Sequence, residues 1–119
     1  MTEAEIIDQR TLDGLLESLG GDADFLRELV GSYLDSTPGL FAAMRQAVTT
    51  GDGAGLQRAA HTLKTGSASM GALALAAQCK QLEEKGRSGE LDGAEANIDI
   101  AAAAYEDVAR TLRYRVQVS

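Results

Sequence analysis

A chain of 119 residues, 45% hydrophobic and 24% charged, has room for one modest core and the ordinary composition of a water-soluble fold. A formal net charge of −7 argues against sequence-independent nucleic-acid binding, which needs a basic face to neutralise phosphates. No apolar run approaches the ~20 residues that span a bilayer. The start Met1-Thr2-Glu3-Ala4-Glu5 is acidic rather than signal-like, and one cysteine cannot form an internal disulfide, so no membrane association and a cytoplasmic location are expected. Aromatics are only 4%, and alanine and leucine dominate the apolar set, which favours close helix packing over a sheet.

In chain order, Thr11 is expected to N-cap a short helix bearing Leu12, Leu15, Leu16 and Leu19, which Gly20-Gly21 ends. Asp22 caps a second helix with Phe25, Leu26, Leu29, Val30, Tyr33 and Leu34 at apolar spacing. Ser36-Thr37-Pro38 reads as a restart, because Thr37 offers a capping oxygen and Pro38 at the first helical position has no amide hydrogen to leave unpaired. Leu40, Phe41, Met44, Ala47 and Val48 come next at helical spacing. The run Gly51-Asp52-Gly53-Ala54-Gly55 lacks the Gly-Lys-Ser/Thr ending of a phosphate-cradling loop and has no strand before it, so it reads as a turn, with Asp52 capping the histidine-bearing helix. Beyond Gly71, a helix buries Ala72, Leu75, Ala76, Cys79 and Leu82 and closes at Ser88-Gly89. The last helix carries Leu91, Ala94, Ile98, Ala101, Tyr105, Val108 and Leu112; the rhythm is lost over 113–119, which is expected to fray. Short connections make successive helices antiparallel neighbours. The expected fold is therefore all-α: an antiparallel four-helix bundle with one or two short N-terminal helices, forming a single domain over 1–119 with its core at about 11–112.

The only histidine lies in Ala59-Ala60-His61-Thr62-Leu63-Lys64-Thr65-Gly66-Ser67-Ala68-Ser69-Met70. At ~100° per residue, Leu56, Ala59, Ala60, Leu63, Ser67 and Met70 share one face, the signature of a helix against a core. His61 falls roughly 140° from that stripe, Lys64 at about 80°, Ala68 at about 120° and Thr65 at about 180°. An imidazole presented this way is placed to meet another molecule. Cys79 lies on its own core stripe, so a Cys–His nucleophilic pair is not expected, and one histidine with one cysteine does not make a zinc site. No carboxylate pair stands in a recognisable pocket pattern. What remains is the imidazole as a nucleophile toward phosphorus, yielding a phosphohistidine. Lys64, three residues on, can pair with phosphoryl oxygens. Phosphoryl transfer asks mostly for positioning and charge neutralisation, so a site this small suffices if a partner brings the metal.

The string His61-Thr62-Leu63-Lys64, followed by Gly71-Ala72, Leu75-Ala76, Cys79, Leu82-Glu83 and Gly86-Arg87, resembles the histidine-containing phosphotransfer (HPt) domain family. The helical layout from about Leu12 to Leu112 is similar as well. The resemblance implies that His61 accepts a phosphoryl group from a receiver-domain aspartyl phosphate and donates it to another receiver, with Lys64 as the charge-stabilising lysine. It implies that Glu83 occupies a site that orients the imidazole; the alternative is a solvated helix glutamate. Arg87 either steers an acidic receiver or simply complements its helix C-terminus. The family usually has glycine directly after the lysine, where this chain has Thr65, with Gly66 next; Ala68 keeps the surface low one turn further along.

The expectation is a monomeric phosphorelay carrier without ATP-dependent autokinase activity and without a cofactor, Mg²⁺ belonging to the receiver. Its partners would be receiver domains of response regulators or hybrid histidine kinases, docking near Arg58, Lys64, Lys80 and Arg87 with apolar residues of the first two helices. Met1 and the length suggest a free-standing protein. A non-relaying helical adaptor is the alternative. A hydrolase using His61 as general base lacks a visible nucleophile or pocket.

Overall fold

Aspartate caps and left-handed glycines set the helix boundaries. In the computed structural model, which describes residues 6–117, five helices succeed one another: α1 (Gln9–Ser18), α2 (Ala23–Thr50), α3 (Gly53–Ser69), α4 (Leu73–Ser88) and α5 (Ala94–Val116). The Asp22 carboxylate accepts from the Phe25 amide and the Asp52 carboxylate from the Gly55 amide, each meeting one of the unpaired donors of a helix start. Gly51 and Gly89 close α2 and α4 with φ of 72° and 78°, a left-handed conformation that costs glycine little.

The four long helices pack in cyclic order, α2 on α3, α3 on α4, α4 on α5 and α5 back on α2, while α1 rests on α2 and α3. The 28 residues of α2 span about 42 Å at helical rise, which accounts for the 43 Å long axis of the molecule. Every position of the predicted α3 stripe is buried: Leu56, Ala59, Ala60, Leu63, Ser67 and Met70. They meet Leu75, Cys79 and Leu82 of α4, Val30, Tyr33 and Met44 of α2, and Ile98, Tyr105 and Leu112 of α5 in one core. Phe25, expected on the apolar face of its helix, is instead 46% exposed.

Four boundaries differ from the sequence reading. Asp8, not Thr11, precedes α1; Thr11 lies inside the first turn and its hydroxyl donates to the Asp8 carboxylate at 2.6 Å. Gly53 to Gly55 form the first turn of α3 rather than part of a turn between helices. α5 begins at Ala94 rather than at Leu91, and it continues past Leu112 to Val116. Val116 is buried, and Arg115 Nη1 donates to the Ile7 carbonyl at 3.1 Å and to Gln9 Oε1 at 2.8 Å, so contacts with the start of the chain carry the helix beyond its own periodicity. The acidic start 1–5 and the last two positions of the expected frayed tail lie outside the described residues.

The largest difference is at Pro38. The helix does not restart there; α2 runs unbroken through it. Proline removes the donor that would bond the carbonyl four residues earlier, and an orphaned buried carbonyl is costly. Here that carbonyl, Leu34, accepts from the Tyr105 hydroxyl of α5 at 3.2 Å. The Thr37 hydroxyl, read from sequence as a cap, is buried and donates to the Tyr33 carbonyl at 2.6 Å. The same Tyr105 ring stacks edge-on against Tyr33 and tilted against Phe41, at centroid distances of 6.1 and 5.8 Å. Tyr105→Phe keeps the ring contacts and deletes only the donor, so urea unfolding is expected to register a loss of about 1–3 kcal/mol with unchanged helical content.

Candidate functional site

His61 sits midway along α3, and α4 runs antiparallel beside it. Its ring stands outside the core stripe as the spacing predicts, with the side chain 59% exposed. Two side chains from α3 converge on one carboxylate from α4. His61 Nδ1 lies 2.6 Å from Glu83 Oε2, and Lys64 Nζ donates to Glu83 Oε1 at 2.6 Å. Glu83 is only 13% exposed at its side chain and Lys64 29%, so the carboxylate is sandwiched between its two partners while the imidazole projects outward.

That arrangement sets the electrostatics. The Lys64 ammonium, and after it the His61 ring, hold the Glu83 carboxyl below the usual glutamate range against the opposing effect of burial. An ionised carboxylate can only accept hydrogen bonds, so the ring nitrogen facing it must donate. In the neutral ring the proton is therefore the one on Nδ1, and the lone pair is left on Nε2, which has no partner among the described residues. Gln57, Arg58, His61, Thr62 and Glu83 line an open depression at this point of the surface.

The remaining residues singled out from sequence take different places. Thr65 is exposed one turn beyond His61, and Ala68 is half-buried; neither side chain joins the hydrogen-bonded cluster. Arg87 is exposed in the last turn of α4, one turn past Glu83, where it complements the helix C-terminus. Arg58 and Lys80 are exposed, the first lining the depression and the second one turn before Glu83. Gly66 faces α2 rather than the histidine: a methyl group there would sit 3.3 Å from the Tyr33 ring, whose hydroxyl pairs with that of Ser67 at 2.8 Å. Cys79 is fully buried, and burial pushes its thiol up to about 12, so it offers no thiolate at neutral pH. Glu83 is no solvated helix glutamate. Its link to both His61 and Lys64, 22 and 19 residues away, is the feature periodicity could not supply.

An exposed imidazole with its lone pair directed outward and a lysine close by is equipped to take and release a phosphoryl group. A family model of the Hpt domain matches residues 28–113. The fold also matches the crystal structure of histidine-containing phosphotransfer protein B from Pseudomonas aeruginosa PAO1 with a TM-score of 0.86 and 31% identity, covering 94% of this chain and 95% of that one. A search of curated protein sequences returned no match. No helix among the described residues is long and apolar enough to cross a membrane. Sequence match and fold agree, and the chain belongs to the Hpt domain family, the histidine phosphotransfer carriers of phosphorelays.

Proposed function

We propose that His61 is the residue that carries the phosphoryl group between receiver-domain aspartates, with Glu83 holding the ring and Lys64 balancing charge. The observation that carries this reading is the Glu83 bond to Nδ1, which leaves Nε2 as the nucleophile on a ring 59% exposed. In the forward step the Nε2 lone pair attacks the phosphorus of an aspartyl phosphate. The N–P bond forms, the P–O bond breaks, and the aspartate carboxylate leaves. Nδ1 keeps its proton throughout, so the phosphorylated ring is cationic and lies against the anionic Glu83. In the second step a carboxylate of the next receiver attacks phosphorus, the N–P bond breaks, and a neutral imidazole leaves with its proton still on Nδ1. No proton has to move in either direction, which suits a reversible carrier. Lys64 is within reach to shift from Glu83 toward the incoming phosphoryl oxygens.

This reading assigns Mg²⁺ to the receiver's acidic pocket, no cofactor to this chain, and no ATP-dependent autokinase activity. It has the chain acting as a cytoplasmic monomer toward receiver domains of response regulators or hybrid histidine kinases. Exposed Arg58, Lys80 and Arg87 around the site of an otherwise acidic molecule supply charge complementarity to such a pocket, which speeds encounter more than it tightens binding.

The test is incubation with a receiver domain carrying labelled aspartyl phosphate. A relay carrier acquires label that is acid-labile and alkali-stable. An adaptor binds without acquiring label, and a hydrolase releases phosphate with no stable intermediate on the chain. Glu83→Ala should slow label acquisition by about 10²-fold, because an unheld ring divides its proton between the two nitrogens and loses its aim. The pH dependence has a definite sign. A carboxyl held below its unfolded value contributes stability that is fully present above the ordinary glutamate range and is lost as pH falls through its lowered folded value. The stability difference between the native chain and Glu83→Ala should thus be flat at neutral pH and shrink only below about pH 4.5.

A further inference from the structure

Helices α3 and α4 do not meet only through side chains. A methyl group on Gly86 would lie 2.5 Å from the Gln57 amide nitrogen, 2.6 Å from the Gly53 carbonyl oxygen and 3.0 Å from the Gln57 Cα. One on Gly53 would lie 2.6 Å from the Gly86 carbonyl oxygen. All of these are backbone atoms, which cannot rotate aside. Other glycines within the helices are different: Gly14, Gly31 and Gly39 have nothing within 4 Å of an added methyl. The crossing therefore requires glycine at Gly53 and Gly86 for reasons of space, and not for backbone conformation, since neither has a positive φ.

This contact lies along the same helix pair as the site, about one turn away at Gly86 and Gln57 and about two turns from His61 at Gly53. Gly86 is three residues after Glu83 and Gln57 four residues before His61, so each is about one turn from the residue it serves and on the same side of its helix. Glutamate is a short side chain, and it bridges to the ring at 2.6 Å only because the two backbones are in contact about one turn away. A separation of the axes by about 1 Å would stretch that bond to about 3.6 Å, beyond hydrogen-bonding range. We propose that the Gly53–Gly86 backbone contact is the positioning element of the site, setting the helix spacing at which Glu83 can fix the proton of His61 on Nδ1. Neither glycine touches the reacting atoms; both act through Glu83. The inference extends the phosphotransfer reading of His61, but its primary readout does not depend on that reading.

The test is ¹⁵N NMR of the His61 ring in the unphosphorylated protein, comparing the native chain with Gly86→Ala and Gly53→Ala, and with Gly31→Ala as a matched control in open space. The native chain should show the pure Nδ1–H tautomer. Gly86→Ala should show a mixed tautomer, Gly53→Ala a smaller shift in the same direction, and Gly31→Ala the native signal with an unchanged or higher melting temperature. With a phosphorylated receiver, Gly86→Ala should lower the maximal transfer rate about tenfold at unchanged half-saturating concentration, and cost less than about twofold once Glu83 is already alanine. Gly53→Ala carries the same test if Gly86→Ala does not fold. Native tautomer signals in a folded glycine variant would overturn the proposal. Failure of both variants to fold would also count against it, by making the contact a requirement of the bundle and not of ring alignment. An altered tautomer with no label ever reaching His61 would leave the positioning intact and defeat the relay reading instead.

Discussion

His61→Gln is expected to bring label acquisition from a phosphorylated receiver below detection while moving the urea midpoint by no more than about 0.5 kcal/mol in stability. Both effects arise from where the ring is. At 59% exposure it contributes little to the core, and a glutamine amide can still donate to Glu83, which Lys64 continues to hold from the other side. The amide nitrogen, however, has its lone pair delocalised into the carbonyl and is no nucleophile toward phosphorus. Loss of transfer therefore reports chemistry and not unfolding, a separation that few substitutions permit. Label persisting on the His61→Gln chain would assign the carrier role to another residue.

Leu63→Ala, two residues away, should behave in the opposite manner. Leu63 is 1% exposed and belongs to the core shared by all four long helices. Deleting its branched side chain removes transfer free energy and leaves a cavity that the surrounding helices fill only in part. The expected cost is about 2–5 kcal/mol. Against a total of about 5–15 kcal/mol for a domain this size, that loss lowers the urea midpoint severely and exposes the chain to proteolysis. The rate of phosphoryl acceptance per folded molecule should be nearly unchanged, because His61, Glu83 and Lys64 hold one another through their own hydrogen bonds, outside the core stripe to which Leu63 belongs. Equal losses of stability and of per-molecule rate would show that core and site are coupled through this helix.

The contrast between these neighbours is legible in sequence, because it rests on helical periodicity alone. The residues at Leu56, Ala59, Ala60, Leu63, Ser67 and Met70 that share a face by spacing are the ones buried, and His61 is not among them. Asp22 and Asp52 are recognisable as caps for a similarly local reason: a short acceptor side chain just before an amphipathic run meets an amide within three residues. Local rules settle local outcomes.

They fail where a distant residue intervenes. Thr37-Pro38 carries every mark of a helix start, yet a tyrosine hydroxyl 71 residues from Leu34 meets the carbonyl that proline orphans, and the helix continues. The helix that periodicity ends at Leu112 gains another turn from contacts with Ile7 and Gln9 at the other end of the chain.

The chain's own spacing and motif thus specify the helical class, the outward-facing imidazole, the lysine beside it and the family. It takes the packed bundle to make Glu83 bridge both side chains, to turn the ring's Nδ1 toward that carboxylate, and to bring Gly53 and Gly86 into backbone contact. The reason is physical: periodicity tells which face of a helix is apolar, but the distance and rotation between two helices depend on how both faces pack, which neither helix carries alone.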